Sequence, residues 1–288
     1  MRFAHLAQKL FNTPLAIRPE KAEIIMHTLA ERLGISNILR MDGTAITDAA
    51  MMDMGSPGRQ PQAGYDIVEG VAVIEISGTL VQKMGTLRPY SGMTGYDGIR
   101  QNFLDALGDP DVEAIVLDID SPGGEVSGCF DLVDTIYNAR GQKPIWAILN
   151  ECAYSAAYAI ASAADMLTVP RTGGVGSIGV IWMHVDWSEA LTSAGLKVTF
   201  LTHGDSKADG HPEIPLSPEA KKRFQDDINM MGELFVTTVA RNRNIAPSAV
   251  RDMKAATYLG EKGVSLDLAD AVLAPDAAFG ALLAELTN

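Results

Sequence analysis

The sequence predicts an α/β protein whose sheet is built from βαβ units, followed by a more helical C-terminal part. Short apolar runs alternate with helical patterns through the middle of the chain, and short links join them. Right-handed crossovers between parallel strands then give a layered architecture. The chain has 288 residues, 47% of them hydrophobic, which is enough to bury a substantial core.

The N-terminal part, residues 1–64, is predicted to be a leader ahead of one compact domain at 65–288. Apolar residues recur at helical spacing over 18–33, which predicts a helix that ends at Gly34. Residues 41–64 have no such period and are rich in Gly, Pro and Gln toward their end, which is typical of an exposed linker.

Strands and helices alternate from residue 71 onward. Six apolar runs predict strands, at residues 71–76, 114–119, 144–149, 166–169, 175–182 and 198–202. Helical spacing predicts three intervening helices, at residues 96–107, 127–140 and 154–164.

A long helix is predicted to begin at Pro218 and to end near Arg243. Ser217 can cap its N-terminus, and proline suits the first helical turn. An apolar stripe along it can pack within the domain or against a neighbouring subunit, and packing within the domain is the more common case. Shorter helices are expected at 247–255 and 261–268.

The composition excludes several functional classes. With 23 Lys and Arg against 36 Asp and Glu, the chain does not suit a general nucleic-acid binder or a protein drawn to anionic membranes. No uncharged stretch is long enough to span a membrane. Two cysteines, Cys129 and Cys152, cannot form a disulfide framework, so a cytoplasmic setting is expected. No Cys/His cluster or phosphate loop is present, so neither a metal nor a cofactor is expected.

The first motif with chemical potential is DIDSPGG, residues 118–124. An apolar strand there leads directly into Pro-Gly-Gly and then a helix. Glycines allow backbone N–H groups to approach a ligand, and such groups can form an oxyanion hole. An ordinary strand-to-helix turn explains the same residues.

The second motif is ECAYSAAY, residues 151–158, in which Ser155 follows a predicted strand and begins an alanine-rich helix. Small neighbours leave room for a substrate beside the hydroxyl, and a helix N-terminus favours negative charge there. The motif is not a G-x-S-x-G elbow, because Ala153 and Ala157 stand at the glycine positions. A helix-capping serine is the alternative interpretation.

A serine nucleophile needs a base, and Lys207 in the segment THGDSKADGHP is one candidate. A lysine can act as a general base where burial lowers the pKa of lysine toward neutrality. The alternative is a solvated loop lysine, and a catalytic role requires Asp205 and Asp209 to point away from it. Among the five histidines, His184 lies in a predicted strand and is more typical of a packed residue.

Four blocks, in this order and spacing, resemble the S49 family of serine peptidases. They are LDIDSPGGEV, NECAYSAAYAIASAAD, TGGVGSIGV and HGDSKADG, and the resemblance extends over about residues 71–273. It implies a ClpP/crotonase-like fold and a Ser–Lys dyad, in which Ser155 is the nucleophile, Lys207 the general base and Ser177 the residue that orients the lysine. The implied oxyanion-hole donors are the N–H groups of Gly123, Gly124 and Ala156.

That family includes signal peptide peptidase A and the head-maturation proteases of tailed phages and prophages. The blocks RTGGVGSIGVIWMHVD and KADGHP, the leader-like segment LAIRPEKAEIIMHTLAERLG and the lack of a membrane anchor favour the phage branch. The resemblance implies an endopeptidase that cleaves scaffold or portal proteins, or its own leader, during procapsid maturation. We expect a homo-oligomer in the host cytoplasm or within the procapsid.

Three alternatives remain open from the sequence alone. A bacterial enzyme of the signal peptide peptidase A type would degrade cleaved signal peptides. A crotonase-like acyl-CoA enzyme would share the fold and the oxyanion groups without needing Ser155 and Lys207 together. A capsid-assembly factor without catalytic activity would bind the same partners and leave them uncleaved.

Overall fold

The computed structural model describes residues 14–17 and 64–287, which form a ten-stranded sheet with helices packed on it. The strands are β1 (Leu15–Ile17), β2 (Asp66–Val68), β3 (Val71–Val81), β4 (Met93–Gly95), β5 (Ala114–Glu125), β6 (Ile145–Tyr154), β7 (Met166–Val169), β8 (Gly174–Gly176), β9 (Thr257–Leu259) and β10 (Ala271–Val272). The helices are α1 (Tyr96–Gly108), α2 (Cys129–Asn138), α3 (Ala156–Ser162), α4 (Ser188–Ser193), α5 (Pro218–Arg243), α6 (Pro247–Asp252), α7 (Gly260–Val264) and α8 (Pro275–Leu286).

The centre of the sheet confirms the predicted βαβ units. Strands β3, β5, β6 and β7 are adjacent and parallel, and α1, α2 and α3 connect them in turn. The outer strand β2 is antiparallel to β3, while β1 pairs with β5 near its C-terminal end. The predicted α/β architecture is therefore confirmed, and so is the more helical C-terminal part. The predicted helix at 18–33 and most of the predicted linker lie outside the described residues.

The sheet is buried on both faces, which explains the continuous apolar runs of its central strands. On one face, Ile115, Leu117 and Ile119 of β5 lie in the main core with Phe103 of α1 and Tyr158 of α3. On the other face, Val116 of β5 and Trp146 of β6 contact a second cluster that includes Ala278 and Leu282 of α8. The sequence analysis missed α8.

Two strands extend well past their apolar runs. Strand β5 continues to Glu125 and β6 to Tyr154, about five residues beyond the predicted ends. The polar and glycine residues of β5 stay extended because they pair with β3 on one side and with β1 on the other. This extension brings the SPGG segment alongside the end of β6.

Two strand predictions were wrong or too long. Of the predicted strand at 175–182, only residues 175 and 176 are regular, within β8, and residues 198–202 form no strand. Leu201 is 96% exposed, so no neighbouring strand in the described part covers this apolar run. The short strands β4, β9 and β10 and the helix α4 were not predicted either, because each is too short to leave a periodic pattern.

Helix α5 has the predicted bounds. The Ser217 hydroxyl accepts a hydrogen bond from Ala220 N at 3.1 Å, as expected of an N-cap. Phe235 and Val239 are fully buried in the main core, whereas Phe224 stacks on Trp182 with ring centroids 4.2 Å apart. The apolar stripe is thus packed within the chain at both ends of the helix.

Arg140 caps the C-terminal ends of two helices by hydrogen bonds. Its guanidinium donates to the carbonyl oxygens of Ser162, Ala163 and Ala164 after α3, and to that of Asn242 at the end of α5. These carbonyls have no partner within their helices, so one side chain satisfies groups that burial would otherwise leave unpaired.

We predict that Arg140→Met lowers the free energy of unfolding by about 2 kcal/mol, because the buried helix ends lose a charged donor. Urea denaturation followed by circular dichroism measures this loss. Arg88→Met is the matched control, since it breaks an exposed ion pair with Asp66 and should change stability little. Equal losses in the two variants would contradict the capping role.

Candidate active site

Ser155 occupies a sharp turn between β6 and α3. Its backbone has φ 55° and ψ −121°, a conformation that residues other than glycine rarely adopt. The turn is held on both sides, because Ser155 N donates to Gly176 O and Ala159 N donates to Ser155 O, each at 2.9 Å. Such strain concentrates at functional sites. The observed geometry therefore favours a functional serine over a capping serine.

The side chain of Ser155 lies in a narrow space. The residue is 1% exposed, and its hydroxyl donates to Gly179 O at 3.5 Å. Ala153, Ala156 and Ala157 around it are fully buried.

The SPGG segment lies directly against Ser155. Gly123 has φ 102°, and a Cβ atom built on it would lie 3.0 Å from Ser155 Cβ and would overlap Ala16 O. Its N–H donates to Ser121 Oγ at 3.2 Å. Gly124 is the next residue of the strand, and Ala156 follows Ser155 in the chain. Of the three predicted oxyanion residues, the structure thus places Gly123 directly beside Ser155.

Ser177 is also placed near Ser155 by the sheet. Tyr154 of β6 pairs with Gly176 of β8, so Ser155 and Ser177 each follow a paired strand end. Ser177 is buried, has φ 55°, and its N–H donates to Ala256 O at 2.9 Å. Its hydroxyl makes no hydrogen bond with Lys207.

Lys207 lies in an exposed loop, separate from these buried groups. Within the described residues, no hydrogen bond or ion pair joins its side chain to Ser155 or Ser177. Asp209 is paired with Arg223, since its carboxylate accepts from Arg223 Nε at 2.9 Å. The predicted dyad is unconnected in this conformation.

Of the histidines in the described ranges, none forms a hydrogen bond with Ser155. His184 stacks on Trp182 with centroids 5.8 Å apart, and both of its ring nitrogens are buried without a hydrogen-bond partner in the part of the chain that the structure describes. His211 contacts Phe200 and pairs with Glu213. His184 is thus a packed residue, as the sequence indicated.

The cysteines are poorly suited to be nucleophiles. Burial raises the pKa of the Cys129 thiol to about 12, so it stays protonated at neutral pH. Cys152 is half-buried and its thiol lies 3.4 Å from a carboxylate oxygen of Asp120.

Asp118 of β5 has a raised pKa that the sequence analysis did not predict. Burial raises the pKa of its carboxyl to about 6, and the negative charges of Glu75 and Asp120 act in the same direction. The Asn150 amide donates to Asp118 and partly opposes that rise in pKa. The signal in the sequence was a carboxylate directly after the apolar run AIVL.

The sequence analysis also did not predict β1, which lies against this site. Its only sequence signal is three apolar residues after Pro14. Over the described ranges, 14–17 and 64–287, no group of three or more His, Cys, Asp or Glu residues could hold a metal ion. No helix there is both long and apolar enough to cross a membrane.

Comparisons with known proteins place the chain among peptidases. A family model described as Peptidase family S49 matches residues 138–286, a range that includes Ser155, Ser177 and Lys207. The head-tail preconnector protein GP5 of Enterobacteria phage P21 is 36% identical over 275 residues, which is 94% of this chain and 55% of that protein. The capsid assembly protease C of Escherichia phage lambda is 36% identical over 273 residues, 92% of this chain and 62% of that protein.

A cellular relative is more distant. The putative signal peptide peptidase SppA of Enterococcus faecium is 27% identical over 178 residues, 60% of this chain and 52% of that protein. The chain spans only about half to two thirds of the length of these curated relatives.

We predict that Asp118 makes folding stability fall as the pH rises from about 4 to about 6. Its pKa is near 3.8 in the unfolded chain and about 6 in the folded one, so the folded state binds more protons in this window. Asp118→Asn stays neutral and should be more stable than wild type at pH 7.5, by about 1 kcal/mol after solvent screening, but not at pH 4.

Urea denaturation at the two pH values measures this difference. Asp111→Asn, which removes a carboxylate from an exposed position, is the control. A stability gain for Asp118→Asn that is the same at both pH values would contradict the raised pKa.

Proposed function

Because the chain belongs to peptidase family S49, we propose that it is a serine endopeptidase that uses a Ser155–Lys207 dyad during phage head maturation. The observation that carries this proposal is the strained backbone of Ser155, which lies close against Gly123, a residue without a Cβ atom. A capping or packing serine needs neither the strain nor the close glycine.

Ser155 is the nucleophile in this proposal. Its Oγ attacks the carbonyl carbon of the scissile peptide bond, and the negative charge that develops on the carbonyl oxygen is met by backbone N–H groups of Gly123, Gly124 and Ala156. Glycine at 123 supports this role, because a side chain there would fill the space beside Ser155 through which a carbonyl must approach.

Lys207 is the proposed general base. Neutral Lys207 accepts the Ser155 proton as the serine oxygen attacks, and then gives that proton to the leaving amine as the peptide bond breaks. Water hydrolyses the resulting acyl-enzyme and regenerates the serine. Since Lys207 is exposed in the described conformation, the cycle requires its loop to bring the neutral side-chain amine to Ser155 and Ser177, where Ser177 would orient it.

The proposed substrates are proteins of the phage head, either scaffold or portal, or the chain's own leader. The names of the two phage relatives, a head-tail preconnector protein and a capsid assembly protease, support this choice. Their similarity extends over 94% and 92% of this chain. We further propose that the protein acts as a homo-oligomer in the host cytoplasm or within the procapsid.

A protease of the signal peptide peptidase A type is the second candidate. The match to the putative enzyme of Enterococcus faecium supports it, at lower identity and over a smaller share of the chain than the phage relatives. Cleaved signal peptides would then be the substrates, and phage head proteins would be left intact.

Ser155→Ala and Lys207→Ala should each reduce the cleavage rate of a denatured protein substrate by at least about a thousandfold. The double variant should be no worse than either single variant, because both groups serve one proton transfer. Activity of the wild type should fall toward acid pH, since a protonated lysine cannot accept the serine proton. Gel and mass analysis of the fragments measures all three effects.

Lys197→Ala, at another exposed lysine, is the matched control and should cleave normally. Retained cleavage by both Ser155→Ala and Lys207→Ala would eliminate the dyad. Normal cleavage by Lys207→Ala together with an inactive His184→Ala would indicate a Ser–His enzyme instead.

A further inference from the structure

Strand β1 fills a groove beside Ser155. On one side it pairs antiparallel with the end of β5, with Leu15 opposite Glu125, Ala16 opposite Gly124 and Ile17 opposite Gly123. On the other side, Leu15 exchanges two backbone hydrogen bonds of 2.9 Å with Ile181. Both edges of this short strand are therefore bonded to the domain.

The side chains of β1 are buried as completely as those of the domain core. Leu15, Ala16 and Ile17 are 6%, 1% and 4% exposed, and Ala16 belongs to the main hydrophobic cluster. A strand of three residues cannot be stable by itself, so its position depends on the groove that receives it.

The strand also runs directly past the nucleophile. A Cβ atom built on Gly123 would overlap Ala16 O and lie 3.0 Å from Ser155 Cβ, so the backbone of β1 and the side chain of Ser155 approach the same point. An extended peptide that lies here presents its backbone to Ser155 and to the strand that carries the SPGG glycines. This is the placement that a peptide substrate requires.

We infer that the groove between residues 123–126 and Ile181 is the site that binds extended peptides, and that residues 14–17 occupy it as an intramolecular competitor of substrate. The assignment of substrate to this groove rests on the proposed peptidase function. Strand addition uses backbone hydrogen bonds and so accepts many sequences, while buried pockets select side chains. The position opposite Gly124 selects alanine or glycine, because Ala16 is enclosed by the core.

Occupancy of the groove by β1 weakens the binding of a free peptide. A segment tethered to its own groove competes at an effective concentration that reaches the millimolar range. A free peptide must displace it before it can bind, and the 1% exposure of Ser155 agrees with a covered nucleophile.

The experiment measures binding in the Ser155→Ala background, where nothing can be cleaved. The probe is a fluorescein-labelled peptide with the sequence of residues 11–20, FNTPLAIRPE, and fluorescence anisotropy gives its Kd. Ala16→Glu in the protein places a charge in the core and should expel β1, so the Kd should fall at least about tenfold. Ala281→Glu, the same change on the exposed face of α8, should leave the Kd unchanged.

Two further comparisons keep the result interpretable. Leu15→Pro is a second variant, for the case in which Ala16→Glu destabilises the fold. It removes the N–H that donates to Ile181 O, and it should likewise lower the Kd of the probe. A probe that itself carries Ala16→Glu should bind at least about tenfold more weakly than the unmodified probe.

An unchanged Kd in both Ala16→Glu and Leu15→Pro, or equal binding of the two probes, would overturn the inference. Failure of the proposed function looks different: the wild type would cleave no protein, while the binding changes in the Ser155→Ala background would still occur. A wild type that cleaves, together with an unchanged Kd in both groove variants, would overturn the inference alone.

Discussion

The close approach of strands β3, β5 and β1 at Gly123 and Gly124 is the constraint on which the rest of the site depends. A Cβ atom at Gly124 would collide with Leu80 O of β3, and one at Gly123 would meet Ala16 O, Tyr154 O and Ser155 Cβ. Only glycine lets the backbone of β5 pass between these neighbours while it stays extended. The end of β5 is therefore fixed by backbone contacts on several sides rather than by its own side chains.

The strain at Ser155 is sustained by the rigid structure on either side of it. Helix α3 is fully buried, the Tyr158 hydroxyl donates to Leu268 O at 2.9 Å, and Arg140 satisfies the carbonyls at its C-terminal end. Strand β6 is fixed on the other side by β5 and β8. A non-glycine residue in this conformation costs about 1–3 kcal/mol, which this packing must offset. Ser155 thus sits at a point of the fold that is constrained on both sides.

The chain between β8 and α5 has the opposite character. Within the described residues it holds one short helix, and it carries Lys207 and Leu201 on its exposed surface. The buried half of the site, with Ser155, Ser177 and the glycines, is preorganised, while the exposed half is separate from it. The proposed Ser155–Lys207 dyad therefore requires this exposed loop to close on the buried groups, beside which β1 pairs with β5.

The sequence by itself determined the elements that have a strong local signal. The apolar runs predicted β3, β5, β6 and β7. The Ser-Pro start and the apolar stripe predicted the start of α5 and its approximate end, because these signals follow from periodicity and capping. The four motif blocks were sufficient to select the family, since spacing between blocks is a property of the chain.

Only the tertiary structure decided how the motifs meet. The extension of β5 through SPGG, the positive φ of Ser155 and the burial of Asp118 depend on strands that are distant in sequence. The strand Leu15–Ile17 is the clearest case, because three apolar residues carry no periodicity and become a strand only through hydrogen bonds to Gly123–Glu125 and Ile181. Backbone pairing at long range is independent of the local residue pattern, and for this reason the sequence singled out Ser155 but not the strand that pairs beside it.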